Sequence, residues 1–165
     1  MKIAKKTRQI SQAAIIAAIY VVMTYLTGIL GLASGAVQCR FSEAMCILPA
    51  FTPAAIPGLF IGCIISNFLT GSVIIDIVFG SIATLIGALF TRFFAQKGLS
   101  PYLFPIPAIV SNTVIVPFVL KYAYGLKDGV LYLVLTVGLG EIISCGILGM
   151  LLYFSLKKHS KILFD

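Results

Sequence analysis

Apolar residues run through this chain in long unbroken stretches, separated by short clusters of glycine, proline and charge rather than by alternating polar positions. The first stretch extends from Ile10 to Leu30 and closes in a glycine-rich segment, Gly31 to Gln38. A shorter one follows Glu43 and reaches Phe51, and Pro49, Pro53 and Pro57 recur every fourth residue beyond its middle. Prolines so spaced remove backbone donors and argue against one uninterrupted helix, so the pattern predicts a turn from Thr52 to Pro57. A third stretch then runs to about Leu69, with Gly58, Gly62 and Ser66 as a row of small residues. Gly71-Ser72 turns the chain into a fourth that ends near Phe94, where Arg92, Lys97 and Gly98 mark a polar connection. The fifth covers Tyr102 to Tyr122, interrupted by Pro105, Pro107 and Pro117, and the sixth runs from Val130 to Phe154. Continuous runs of this length suit helices; a β-barrel wall needs short strands of alternating polarity.

Composition turns helices into membrane helices. Sixty per cent of residues are apolar, 10% are charged, and the mean hydropathy is +1.10, whereas soluble domains carry about 25% charged residues. At about 20 residues per crossing, six crossings with short turns are expected to fill residues 1–165 as a single all-α membrane domain, without room for an ATP-binding domain. The count depends on the split at Thr52 to Pro57, since fusing the second and third stretches would give five.

The net charge of +7 changes the picture by its placement. Lys2, Lys5, Lys6 and Arg8 precede the first stretch, and Lys157, Lys158 and Lys161 follow the last. Basic flanks report the cytoplasmic side, so both tails, about 1–9 and 156–165, are expected inside, which requires an even number of crossings. Arg92 and Lys97 then also fall inside, while Lys121 and Lys127 fall outside and weaken the bias. The first stretch is longer than a signal-peptide core, so Ala33, Ser34, Gly35 and Ala36 are not expected to form a cleavage site.

In that topology Glu43, Asn67 and Asp76 lie toward the outer side, and Asn112 and Glu141 lie close to mid-depth. Ionisable groups in lipid are costly and usually face a bundle interior on a ligand or ion path. Five polar residues on five helices, three of them ionisable, predict a pocket open to the outside. Carboxylates that accept paired hydrogen bonds, and amides that both donate and accept, suit a ligand rich in N–H donors or a cationic amine. Arg40 stands three residues before Glu43, so a local ion pair at the membrane surface is the plainer account of both. Asp76 also suits a solvated helix start, and Glu141 could serve only to bond Asn112 across helices.

Other chemistry is thinly supported. HExxH, GxSxG and GxxxxGK[ST] patterns are missing from the sequence, so neither a hydrolase nor an ATPase is expected. Cys39, Cys46, Cys63 and Cys145 form no CxxC pair and read as small apolar residues; no metal or cofactor is expected. His159 reads as solvated. Ala13, Ala14, Ala17 and Ala18 make two interleaved small-xxx-small patterns, a face that another helix can approach closely, in this chain or in a partner.

The run from Val37 to Ala44 (Val-Gln-Cys-Arg-Phe-Ser-Glu-Ala), then Ile47-Leu48-Pro49, Phe51 to Leu59 and Asp76 to Ser81 resemble the queuosine-precursor transporter (QueT) family. These are substrate-binding S components of energy-coupling factor (ECF) transporters. The likeness covers most of the chain and is densest from Val37 to Ser81; Cys39 departs from the aromatic or apolar residue expected there. The resemblance implies a six-helix S component in the plasma membrane that captures a pre-queuosine base, 7-aminomethyl-7-deazaguanine or its nitrile precursor, from outside. It also implies association with a transmembrane coupling protein and two cytoplasmic ATPases, through a first-helix surface like that of Ala13, Ala14, Ala17 and Ala18.

A deazaguanine offers adjacent ring N–H and amino donors to one carboxylate, and the aminomethyl form adds a cation for a second. Glu141 or Glu43 is expected at the guanine edge, and Asp76 or the remaining glutamate at the amine. Asn67 and Asn112 are candidates for the carbonyl and ring nitrogens, and Phe41 for stacking on the base. The competing expectation is a proton-coupled secondary transporter or small channel that titrates Glu141, although no inverted repeat relates the two halves. An intramembrane enzyme would need a paired catalytic constellation that the acids lack.

Overall fold

The computed structural model describes residues 2–32 and 39–164, and the side chains of these except 2–5 and 161–162. Residues 33–38, which hold most of the glycine-rich segment and the Val37-Gln38 start of the family-like run, lie outside the described residues, as do the side chains of Lys2, Lys5 and Lys161. Apart from turns and short connections, the described residues are helical: α1 (Lys2–Ile29), a 3-10 helix (Phe41–Ala50), α2 (Ala55–Leu69), α3 (Ile74–Gln96), a short 3-10 turn (Pro101–Leu103), α4 (Ile106–Tyr122), α5 (Val130–Glu141), a π-helical segment (Ile142–Leu148), α6 (Gly149–Lys157) and α7 (Ser160–Phe164). The segment from Val130 to Lys157 is one continuous rod.

Side-chain contacts fix the direction of each pass. Thr24 Oγ1 bonds Ser42 Oγ at 2.8 Å while Thr52 Oγ1 donates to Gln12 Oε1 at 3.1 Å, so the 3-10 helix runs back along α1. α2 then runs parallel to α1, because Gly58 lies on Ala13 and Ile16, and Gly62 lies on Ala17 and Tyr20. α3 returns, pairing Thr84 with Cys63 and Gly80 with Asn67. α4 reverses again, since Thr91 Oγ1 donates to the Phe104 carbonyl and Ser111 Oγ to that of Ala83. The last rod lies antiparallel to α4, with Gly138 on Thr113 and Gly146 near Ile109. Six passes thus alternate in direction. Gln12 Nε2 donates to the Leu163 carbonyl at 3.2 Å, which brings the N-terminal and C-terminal regions to one end of the bundle.

Among the described residues, four helical segments have the length and composition to cross a membrane: Lys6–Ile29, Ile74–Gln96, Pro101–Tyr122 and Val130–Lys157. The second and third passes are shorter, 10 residues of 3-10 helix and 15 of α-helix. At about 2.0 and 1.5 Å per residue they extend roughly 20 and 22 Å, short of a hydrocarbon core of about 30 Å. The 3-10 helix is buried from Ser42 to Pro49, surrounded by α1, α3 and the last rod. Its closing carbonyls, Pro49 and Ala50, accept bonds from Arg92 Nη1 at 3.2 and 3.3 Å. Arg92 therefore sits within α3 as a half-buried cap, not in the polar connection that its charge suggested.

Prolines break the chain less than expected. Pro57 lies in the first turn of α2, where a missing N–H costs no intrahelical bond, so the turn is confined to residues 51–54. Pro105 and Pro107 open α4, and Pro117 lies buried inside it. The core joins Tyr20, Ile47, Leu59, Cys63, Ala88, Phe104, Ala108, Cys145 and Tyr153, and Phe51 stacks between Tyr153 and Phe164 at 5.0 and 5.5 Å.

Candidate functional site

One compact cavity in the bundle is lined by Arg40, Glu43, Cys63, Asp76, Gly80, Thr84, Asn112, Val116, Val137 and Glu141. Its volume is about 30 Å³, room for a single water, so a bicyclic ligand requires the surrounding helices to part. Every pass except α1 supplies a lining residue, and α1 enters through Tyr20. Glu43, Asp76 and Asn112 are each at most 5% exposed, while Glu141 and Arg40 are half-buried. The lining thus sets three carboxyl groups against one guanidinium. Among the described residues no carboxylate lies within ion-pair distance of a lysine or arginine, so the surface ion pair of Arg40 with Glu43 does not form.

The carboxylates differ in what they already hold. Tyr20 Oη donates to Glu43 Oε1 at 2.5 Å, and Asn112 Nδ2 approaches Glu43 Oε2 at 3.4 Å. Tyr20 is in turn fixed by near-complete burial. Glu141 Oε2 accepts from Cys145 Sγ at 3.1 Å, and the Asn112 amide reaches the same carboxylate. The Asn112 amide thus serves both Glu43 and Glu141. Asp76 Oδ2 accepts from the Tyr124 phenol at 2.8 Å. Tyr124 sits in the connection after α4, where burial, with the Asp76 carboxylate beside it, pushes its phenol upward, so it remains a donor at neutral pH.

Local structure explains why these groups converge. The π-helical segment follows Glu141 directly, and its wider turn brings Ser144 and Cys145 inward together; both are buried. Ser144 Oγ accepts the Arg40 backbone N–H at 3.1 Å, and Cys145 Sγ donates to the Glu43 carbonyl at 3.4 Å. The rod carrying Glu141 is thereby tied to the start of the 3-10 helix carrying Glu43. Such π-segments are frequent at functional sites.

Donor atoms of Glu43, Glu141 and Cys145 all lie within 4.8 Å of one another, close enough to hold a metal ion. However, Glu43 already accepts from Tyr20 and Asn112, and the Cys145 thiol acts as a donor, which satisfies the cluster as a hydrogen-bond network. Tyr20→Phe is expected to leave the helices packed but free the Glu43 carboxylate, lowering thermal stability by about 1–3 kcal/mol, the cost of stranding a buried acceptor; a thermal melt of the purified variant measures this.

Of the residues singled out in the sequence, Arg40, Glu43, Asp76, Asn112 and Glu141 line the cavity. Asn67 stands just behind it, with Nδ2 3.4 Å from the point where a Cβ on Gly80 would lie. Phe41 is not among the lining residues; it is half-buried, and its backbone N–H donates to Thr27 Oγ1 at 3.2 Å. Tyr20, Cys63, Thr84 and Tyr124 are contributors that the pattern did not single out.

The alanine face of α1 divides in two. Ala13 and Ala17 pack against Gly58 and Gly62 and border the groove outside them. Ala14 and Ala18 are exposed and, with Val21, Pro57, Ile61 and Ile65, line an open apolar groove of about 930 Å³ on the outside of α1 and α2, with Lys6 and Gln9 at its end.

A family model described as QueT transporter matches residues 10–158. The queuosine precursor transporter QueT of Lactococcus lactis subsp. cremoris (strain MG1363) is 37% identical over 81 residues, which cover 49% of this chain and 47% of that protein. The alignment thus reaches about half the length of the relative. No solved structure matches the chain.

Proposed function

The chain belongs to the QueT transporter family, and from that premise we propose that it is the substrate-capturing S component of an ECF-type importer for a queuosine precursor. In this reading it sits in the plasma membrane with six crossings and both termini cytoplasmic. A 7-aminomethyl-7-deazaguanine or its nitrile precursor enters from the outside, and two ATPases acting through a transmembrane coupling protein drive uptake. The reading takes its ligand class from the name of the Lactococcus relative and from the chemistry of the cavity. The observation that carries it is the convergence of Glu43, Asp76 and Glu141, from three different passes, on one cavity lined also by Asn112.

Adjacent ring N–H and amino donors on a guanine edge suit a carboxylate that can accept both. Glu141 fits that role better than Glu43, because Tyr20 and Asn112 already occupy the Glu43 oxygens. Glu43 then holds the Asn112 amide in place, leaving the rest of that amide to meet a polar ring atom. Energy must come from elsewhere, and the outward row of Ala14 and Ala18 offers a close approach to a partner helix. The two short central passes lie within a bundle whose other helices are of membrane length, so the bilayer need not fit them individually.

Uptake by cells that carry the chain with and without an ECF ATPase module tests this. Uptake of the labelled deazaguanine is expected to require the module and to survive an uncoupler for as long as ATP is maintained. Ala14→Leu with Ala18→Leu is expected to retain ligand binding by the purified chain and to abolish uptake, since bulk in the groove bars the partner without touching the cavity. Uptake that ignores the module and collapses with the proton gradient would instead support a secondary transporter.

A further inference from the structure

The outer corner of the cavity is built differently from the side that holds Glu141. Asp76 lies in the first turn of α3, and its two oxygens face different neighbours. The Tyr124 phenol takes Oδ2, whereas Oδ1 lies 3.4 Å from the point where a Cβ on Gly80 would stand. Asn67 Nδ2 is equally close to that point from the α2 side. Gly80 therefore leaves a space about the size of a methyl group between a carboxylate oxygen and a buried amide. Asn67 Nδ2 is also engaged by Cys63 Sγ at 3.5 Å, while its side-chain carbonyl accepts from no described residue. Tyr124 is 41% exposed and is followed by Gly125 at φ +67°, a conformation that turns the chain sharply away and leaves the phenol as the contact of this connection with the buried carboxylate.

We propose that the space over Gly80 is the subsite for a primary ammonium substituent on the ligand, with Asp76 Oδ1 as its acceptor and Tyr124 as the residue that positions the carboxylate. This rests on the deazaguanine reading above and extends it to which precursor the site prefers. By holding Oδ2, the phenol turns Oδ1 into the cavity and shields the carboxylate from outside water, which strengthens its bond to a cation. A nitrile at the same place offers only a lone pair: it gains nothing from Asp76 Oδ1 and can accept only from Asn67 Nδ2, which also bonds Cys63 Sγ, a neutral bond weaker than the charge-assisted one of an ammonium. The aminomethyl form is therefore the preferred ligand, and the preference resides in Asp76, Tyr124 and Gly80 rather than in Glu141.

The test compares affinities of the purified full chain for 7-aminomethyl-7-deazaguanine and for the 7-cyano analogue in wild type, Tyr124→Phe, Asp76→Asn and Gly80→Ala, with a thermal melt on each protein. Wild type is expected to favour the amine by tenfold or more, about the worth of one hydrogen bond to a charged group. Asp76→Asn should remove most of that ratio, and Tyr124→Phe should reduce it about threefold to tenfold, as expected for losing one modest bond. Gly80→Ala should weaken both ligands by filling the space they share, and the amine more because it also loses its bond to Asp76, while affinity for the nitrile changes little in the other two. A melt that moves without a change in the ratio would reduce Tyr124 to a structural role and overturn the proposal. So would a wild type that favours the nitrile, or variants that weaken both ligands equally; either result leaves the deazaguanine reading standing. If wild type binds neither compound, that reading falls and takes this subsite with it. Should Asp76→Asn fail to fold, Tyr124→Phe and Gly80→Ala decide alone.

Discussion

Glu141→Gln is expected to weaken deazaguanine binding by about 100-fold while leaving the midpoint of thermal unfolding close to wild type. The reason is local. Glu141 bonds the Cys145 thiol and the Asn112 amide, and a glutamine oxygen can still accept from them. Toward the ligand, however, the change replaces an acceptor by an amide whose NH₂ faces the N–H donors of a guanine edge. Losing a charge-assisted pair and stranding the ligand donors costs about 3 kcal/mol, which is about two decades of affinity. Calorimetric titration beside a thermal melt separates the two effects. Equal losses of binding and of folded protein would make Glu141 a structural residue. Glu43→Gln makes a useful contrast, since Glu43 already accepts from Tyr20 and Asn112. There, stability and binding are expected to fall together.

Gly62→Leu is expected to damage the protein most. A Cβ at Gly62 would lie 2.9 Å from Tyr20 Cβ and 3.1 Å from the Ala17 backbone, and that backbone cannot swing away. α1 must therefore move off α2, carrying Tyr20 away from Glu43. Overpacking of a tight contact costs about 1–3 kcal/mol or more, and the lost Tyr20 bond adds to it, so folded yield and ligand binding are expected to collapse together. Gly138→Ala supplies the control. Its Cβ would meet Thr113 at 3.4 Å, an ordinary contact, and alanine favours the helix, so stability is expected to hold or rise. Size-exclusion yield and melting temperature in detergent measure both variants.

Hydropathy carries much of this fold in plain view, because a bilayer leaves a chain few ways to satisfy its backbone. The predicted ends at Leu30, Leu69, Phe94 and Tyr122 fall within two residues of the helix ends at Ile29, Leu69, Gln96 and Tyr122. Hydropathy is silent on how a helix is wound. Nothing in the run from Phe41 to Ala50 announces a 3-10 helix, and nothing from Ile142 to Leu148 announces a π-segment, since both are set by the neighbours that take up their backbone groups. Arg92 misled for a similar reason. Its charge reads as a surface connection, yet the carbonyls of Pro49 and Ala50 give it a partner near the bundle end.

The site was legible where charge stands out against lipid. Glu43, Asp76 and Glu141 are conspicuous because burying them alone is so costly. Tyr20 and Tyr124 are not, because an aromatic ring with a polar tip in an apolar helix or its flank looks like core or interface until an acceptor is placed beside it. The alanine rows of α1 carry a related ambiguity. Ala13 with Ala17 and Ala14 with Ala18 are equivalent as patterns, and only the register of Gly58 and Gly62 on α2 decides that the first row is the one packed against α2.

The most direct test of the account is equilibrium binding of 7-aminomethyl-7-deazaguanine, with guanine as the control, to the purified chain in detergent without ATP or partner proteins. Saturable binding that guanine does not match, and that Glu141→Gln abolishes, is the predicted result. Binding of neither compound, or equal binding of both that is indifferent to Glu141, would contradict the claim that this acid-lined cavity captures a queuosine precursor.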